Sequence, residues 1–159
     1  MKTRPDNIDF ANPTQFRFVI QKLPNTEFFI TGANVPGISS PPAEQGSPFK
    51  AIPQANNVLE YEPLEITFLL NEDYSNYEEV YNWLMGLGFP EDYKQSERTY
   101  SDATLIILTN KNNPIAKFTF HDTFPTSLSG VNYSVQATDT SQIEITVTLD
   151  YTIFKFEKL

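Results

Sequence analysis

The chain has no cysteine, one histidine and only six glycines, and its 11 lysines and arginines are outnumbered by 20 acids. Without cysteine there is neither a disulfide nor a thiolate metal site, so stability must come from packing or assembly. The lone histidine, His121, cannot build a histidine cluster for zinc or iron, and any Ser-His-Asp relay would have to centre on that one imidazole. The scattered glycines form neither G-x-x-x-x-G-K-[ST] nor G-x-G-x-x-G, which removes the sequence basis for a nucleotide cradle. A net charge of −9 argues against gripping phosphate backbones, because that needs Lys and Arg to displace counterions. No apolar run approaches the roughly 18 residues of a membrane span, and residues 1–10 lack the apolar core of a signal peptide, so a soluble chain made in the cytosol is expected.

What is present is β patterning. With 159 residues, 40% hydrophobic and 14% aromatic, the chain can bury one core, and a single domain over 1–159 is expected. Only 19% of residues are charged, so the polar surface is mostly uncharged and hydrogen-bonding, as on long strands. Alternation of apolar and polar residues predicts strands at Phe16, Phe18 and Ile20, over 27–34, at Leu64, Ile66, Phe68 and Leu70, and over 115–120. Leu23-Pro24-Asn25-Thr26 reads as the turn of a hairpin joining the first two. Residues 103–109 are apolar on both faces, as a central strand is. The longest alternation places Ile143, Ile145, Val147, Leu149, Tyr151 and Ile153 on one face, and a strand through Val131, Tyr133, Val135 and Ala137 is expected to lead into it by a turn at Asp139-Thr140-Ser141.

One helix is predicted. Ser75 and Glu78 have capping-box spacing, Tyr77, Val80, Tyr81, Leu84 and Leu87 follow as a buried stripe, and Gly86, Gly88 and Pro90 close it. Trp83 lies off that stripe and reads as an edge-of-core anchor. Residues 91–102 read as a solvated connection. Between 35 and 62, prolines 36, 41, 42, 48 and 53 interrupt every apolar stretch and predict an extended arm. Ile38, Phe49, Ile52, Val58, Leu59 and Tyr61 give that arm something to bury against a neighbour, the plain alternative being a surface loop. Residues 1–12 are expected to form a flexible N-terminal segment. The fold class that emerges is mainly β: an antiparallel barrel or sandwich with one flanking α-helix and a long loop arm.

Chemistry is sparse. His121 beside Asp122 has the makings of a general base, but at a strand end it reads as a structural hydrogen-bonding residue. The acid pairs Glu60/Glu62, Glu72/Asp73, Glu78/Glu79 and Glu91/Asp92 fit no calcium loop and define no glycosidase cleft. Neither catalytic, metal nor cofactor-binding residues are therefore assigned, and the chain is expected not to be an enzyme. A carbohydrate-binding β-sandwich would use Tyr74, Tyr77, Tyr81 and Trp83 as a stacking platform, but their helical spacing is that of a core.

The order of parts carries more than any single motif. Asn12-Pro13-Thr14-Gln15-Phe16 leads the first strand, residues 32–38 (GANVPGI) lead into the arm, and the strand from Leu64 to Leu70 is followed by Asn71-Glu72-Asp73. Tyr81-Asn82-Trp83-Leu84 sits in the helix, residues 120–126 (FHDTFPT) precede the last hairpin, and residues 143–151 (IEITVTLDY) end it. This series, covering nearly the whole chain from about Asn12 to Phe156, resembles the tail-tube protein family of contractile-tailed bacteriophages, which is related to pyocin and type VI secretion tubes. The resemblance implies a structural virion protein: hexameric rings stacked into a tail tube, with sheath and baseplate proteins as partners. It also implies that DNA passes through the lumen without specific binding, that no membrane is entered, and that the tail is assembled in the host cytoplasm. A baseplate protein that starts the tube shares the fold and is the alternative. On this reading Gln142, Glu144, Thr146, Thr148 and Asp150 become candidate lumen-facing residues, uncharged or acidic so that phosphates do not stick. The plain alternative for them is the solvent face of a sandwich. Six copies at −9 each carry −54, a repulsion that apolar contacts between subunits must offset, and the arm is the candidate for those contacts.

Overall fold

A computed structural model of the chain describes residues 11, 13–89, 100–135 and 142–159. The expected flexible segment 1–12 (apart from Ala11), Pro90, most of the connection 91–102, and the turn Asp139-Thr140-Ser141 with Ala137 lie outside the described residues. In chain order the elements are β1 (Phe16–Ile20), α1 (Pro24–Glu27), β2 (Ile30–Ala33), β3 (Ile38–Ser39), β4 (Ala43–Gln45), β5 (Ile52–Gln54) and β6 (Glu60–Tyr61), then β7 (Leu64–Leu69), α2 (Ser75–Gly88), β8 (Ser101–Leu108), β9 (Pro114–Leu128), β10 (Glu144–Asp150) and β11 (Ile153–Lys158). All strand pairings are antiparallel, as the alternation predicted.

The strands form two layers joined through β9. Sheet A has the order β1-β8-β9-β11, and sheet B the order β9-β10-β7-β2. Residues of β9 pair with β8 as far as Thr123 and with β11 as far as His121; from Phe124 onward they pair with β10. The crossing is a corner at Asp122, whose φ of 55° is left-handed, and the β8 register shifts opposite it between Ser101 and Ala103. An extra residue with that backbone bends a strand from one layer into another. Apolar residues from both sheets and from α2 make one cluster, in which Leu64, Ile66, Phe68, Phe120, Ile145, Val147, Leu149 and Val80 are fully buried. Each contributes on the order of 1.5–3 kcal/mol by leaving water. The arrangement is a mainly β sandwich, and no barrel closes among the described residues.

Four local expectations are corrected. The first is the hairpin from β1 to 27–34. Pro24 occupies the first turn of the short helix α1, where a missing N–H costs nothing, and the Glu79 carboxylate of α2 accepts from the backbone N–H groups of Asn25 and Thr26 at 3.2 Å. The chain therefore crosses between layers: β1 pairs β8 while β2 pairs β7. The second is the last hairpin. Residues 131–135 form no strand; β9 pairs β10 instead, because the strand runs through Phe124-Pro125, and Pro125 sits opposite Leu149, where the register shifts and a missing N–H is tolerated. Val135 is fully exposed.

The third concerns α2. No side chain caps it: Tyr74, with φ 61°, stands at the N-cap, and Asp73 instead accepts from the Ser75 N–H at 3.0 Å. The buried stripe is Asn76, Val80 and Trp83, rotated from the expected one, which leaves Tyr81 exposed. Asn76 sets this rotation. It donates to the Leu69 carbonyl at 2.7 Å and accepts from Asn71 N at 3.2 Å, tying the helix start to the end of β7. The fourth is the arm, which is a ribbon and not an irregular loop: β3 pairs β6, and β4 pairs β5.

Candidate functional site

Two surfaces follow from this construction, an outer face of sheet B and the arm. Residues Ile145, Val147 and Leu149 of β10 are wholly buried, so the strand period turns Glu144, Thr146, Thr148 and Asp150 to the other face. Thr146 lies opposite Thr67 of β7, with their hydroxyls 3.3 Å apart, and Thr148 lies between Glu65 and Ser127. Gln142 precedes the strand and is exposed beside an open groove of about 520 Å³ that Phe29, Leu69, Tyr74 and Tyr133 also line. The strands β2, β7 and β10, and residues 124–128 of β9, contain no lysine or arginine. Four of the five candidate lumen residues are thus gathered on one hydroxyl-rich and acidic sheet face, and sequence reasoning missed its other members, Glu65, Thr67 and Ser127. Pairing register supplies them, and no local pattern does.

The arm leaves the body at a fixed root. Gly37 N–H donates to the Glu62 side chain at 3.1 Å, Glu62 N–H returns a bond to the Gly37 carbonyl at 3.0 Å, and a Cβ on Gly37 would lie 2.7 Å from that carboxylate. Tyr151 donates its hydroxyl to the Glu62 carbonyl at 2.7 Å, and Tyr61 packs edge-on to Tyr151 and Phe154. Burial, with help from Tyr61, Asp150 and Glu62, pushes the Tyr151 hydroxyl up to about 12, so it remains a donor through the physiological range. Beyond the root nothing among the described residues covers the ribbon. Phe49 is 98% exposed, and Ile38, Ile52, Val58 and Leu59 are each more than half exposed. Tyr61 differs from the other five arm residues: it belongs to the root cluster and is half-buried in its own chain.

Elsewhere the geometry is less suggestive of chemistry. His121 faces Asp102 across the strands, Nδ1 to Oδ1 3.6 Å, and Asp102 also accepts from the Asp122 N–H at 3.3 Å. The aromatic platform is divided: Trp83 is buried, with the Lys22 ammonium 5.2 Å from its ring centre, whereas Tyr77 and Tyr81 stack on the exposed side of α2.

No protein-family model matches the chain. The tail tube terminator protein of Enterobacteria phage T4 is 27% identical over 160 residues, covering 93% of this chain and 89% of that protein. Among solved structures, a chain in the six-fold-symmetrised cryo-EM structure of the anti-feeding prophage baseplate superposes with a TM-score of 0.68 at 12% identity, over 94% of this chain and 96% of that one. A chain of the anti-feeding prophage tube-terminating cap does so with a TM-score of 0.66 at 15% identity, over the full length of both. The chain therefore resembles the tail-tube proteins of contractile systems in both sequence and fold, along nearly all of its length.

Proposed function

We propose, from this shared tube fold, that the chain is a non-enzymatic structural subunit of the tube of a contractile tail, and that six copies close into a ring by continuing sheet B from one copy to the next. The observation that carries the reading is the state of that sheet: an acidic, hydroxyl-lined face without a basic residue, bounded by strand edges at β2 and at residues 124–128 that no other strand pairs among the described residues. Unpaired edges are templates for pairing with another chain. Four strands from each of six copies at about 4.8 Å spacing give a circumference of roughly 115 Å and a bore of about 37 Å, wider once strands tilt. A DNA duplex fits, and Glu144, Thr146, Thr148 and Asp150 then face it without a cation to hold it. DNA passes through at ejection without specific binding.

The uncovered arm supplies the second contact, within the ring or onto the next ring, and sheath and baseplate proteins are the remaining partners in a tail assembled in the host cytoplasm. The relative from phage T4 favours a particular placement, the ring that ends the tube. Negative-stain images of the purified chain, alone and with tube ends as template, test these readings. Long tubes support the repeating subunit and isolated rings the terminal one; monodisperse 18.1 kDa particles under both conditions refute ring formation. Deleting residues 49–58, which are almost wholly exposed, is expected to leave a folded subunit that does not polymerise; tubes of normal length from that variant would defeat the assignment of the arm.

A further inference from the structure

Two more apolar surfaces are uncovered among the described residues, and they lie in regions of opposite charge. The first is a corner of sheet A. Strand registers arrange its inward face in transverse rows: Ile20, Ala103, Phe120 and Phe154 in one, Phe18, Leu105, Phe118 and Phe156 in the next. The first row is buried up to half-buried Phe154. In the second, exposure rises from 2% at Phe18 to 61% at Phe156, although the Phe118 and Phe156 rings pack at 5.1 Å. The sheet thus extends past its covering layer at β11, where Lys158 lies on the same face as Phe156 and Lys155 on the other.

The second surface is the outer side of α2. Tyr74, Tyr77, Tyr81 and Met85 recur at helical spacing, with Tyr74 edge-on to Tyr77 at 6.1 Å and Tyr77 stacked on Tyr81 at 6.4 Å. Tyr81 is 45% and Met85 39% exposed. Glu78 is exposed within this stripe, and Glu72 and Asp73 precede it. Charge is segregated accordingly. Sheet A strands carry Arg17, Lys117, Lys155 and Lys158 against Asp102, Asp122 and Glu157, a net positive balance; α2 and the sheet B strands carry Glu65, Glu78, Glu79, Glu144 and Asp150 with no base.

We propose that the β11 corner of sheet A on one copy seats the tyrosine face of α2 on a second copy, with lysine set against carboxylate. The proposal rests on the reading that copies of this chain assemble, and it adds a contact distinct from the arm. Neither surface is complementary to itself, because a twofold contact would oppose lysine to lysine or glutamate to glutamate. The contact is therefore heterologous, the kind that closes rings or propagates stacks. It also accounts for how a chain of charge −9 approaches its copies: local complementarity steers the encounter against overall repulsion.

The absence of native cysteine makes the test direct. Full-length chains bearing Tyr81→Cys and Phe156→Cys are mixed, assembled and oxidised; a disulfide-linked dimer is expected in the mixture and not in either chain alone. In parallel, Lys158→Glu, on the Phe156 face, and Glu78→Lys, within the tyrosine stripe, are each expected to lower the assembled fraction about tenfold or more, and a chain carrying both changes to recover it. Circular dichroism of the monomers checks that each variant folds. Rings that form without the Tyr81–Phe156 cross-link overturn the contact whatever the charge variants do, and leave the ring reading standing. If the unmodified chain forms no ring, alone or on tube ends, the ring reading fails first.

Discussion

Asn76 offers the sharpest test of how α2 is placed on the sheets. It is fully buried where β7 hands over to the helix; its Nδ2 donates to the Leu69 carbonyl at 2.7 Å, and its Oδ1 accepts from Asn71 N at 3.2 Å and Tyr77 N at 3.0 Å. Asn76→Asp keeps the shape and the accepting oxygen but replaces the donor facing Leu69 with a second oxygen. Loss of that donor at a buried carbonyl costs roughly 1–3 kcal/mol, and burying the carboxylate raises the cost toward the upper end. A loss of about 3 kcal/mol at neutral pH corresponds, at roughly 2–4 °C per kcal/mol for a domain of this size, to a melting point about 6–12 °C lower. The sign with pH is fixed. The new carboxyl holds its proton more tightly folded than unfolded, so the deficit is full above its folded pKa and shrinks as pH falls toward the ordinary carboxylate value of about 4, where the protonated acid donates again. Thermal melts of parent and variant, followed by circular dichroism at neutral and mildly acidic pH, measure both effects. A variant that melts within about 2 °C of the parent, or a deficit that does not narrow on acidification, refutes the role given to Asn76.

Tyr151→Phe removes the bond to the Glu62 carbonyl at the arm root. Because Tyr151 ionises near 12 folded against 10.0 unfolded, its part of the stability is full below pH 10 and is lost between 10 and 12; urea titrations in that window should show a decline in the parent that is shallower in the variant. Equal slopes would contradict the burial of that hydroxyl. Thr148→Lys sits on the outer face of β10 and should leave the fold intact, but rings of this variant should retain duplex DNA in a salt-dependent way that parent rings do not, as a gel-shift series in rising salt would show. Retention by neither would remove the face from the bore.

Most of the layer structure was legible because burial on one side imposes a period of two. Residues 64–69 and 144–150 alternate cleanly, and their faces were assigned from sequence alone. The arm was legible from its prolines, though not its ribbon pairing, which joins residues as far apart as Ile38 and Tyr61. What failed shares one cause, tertiary partners that local pattern does not report. Pro24 is compatible with a turn or a helix start, and it is Glu79, more than fifty residues on, that decides for the helix. Pro125 is a residue that ends most strands, yet a shifted register opposite Leu149 lets this one pass through it. In α2 the tyrosines outweigh Asn76 on any hydrophobic scale, but Asn76 finds backbone partners inside, so the stripe turns. Of the candidate site, the β10 face was found from alternation, whereas Glu65, Thr67 and Ser127 join it only through pairing.

The passage of β9 through its corner at Asp122 has a mechanical consequence. Residues 116–128 run antiparallel to 147–158 along nearly their whole length, so one pair of backbones serves both layers. A load applied along one layer therefore reaches the other as shear across many hydrogen bonds at once. Two layers joined this way resist shear without disulfide cross-links, which this cysteine-free chain has no means to form.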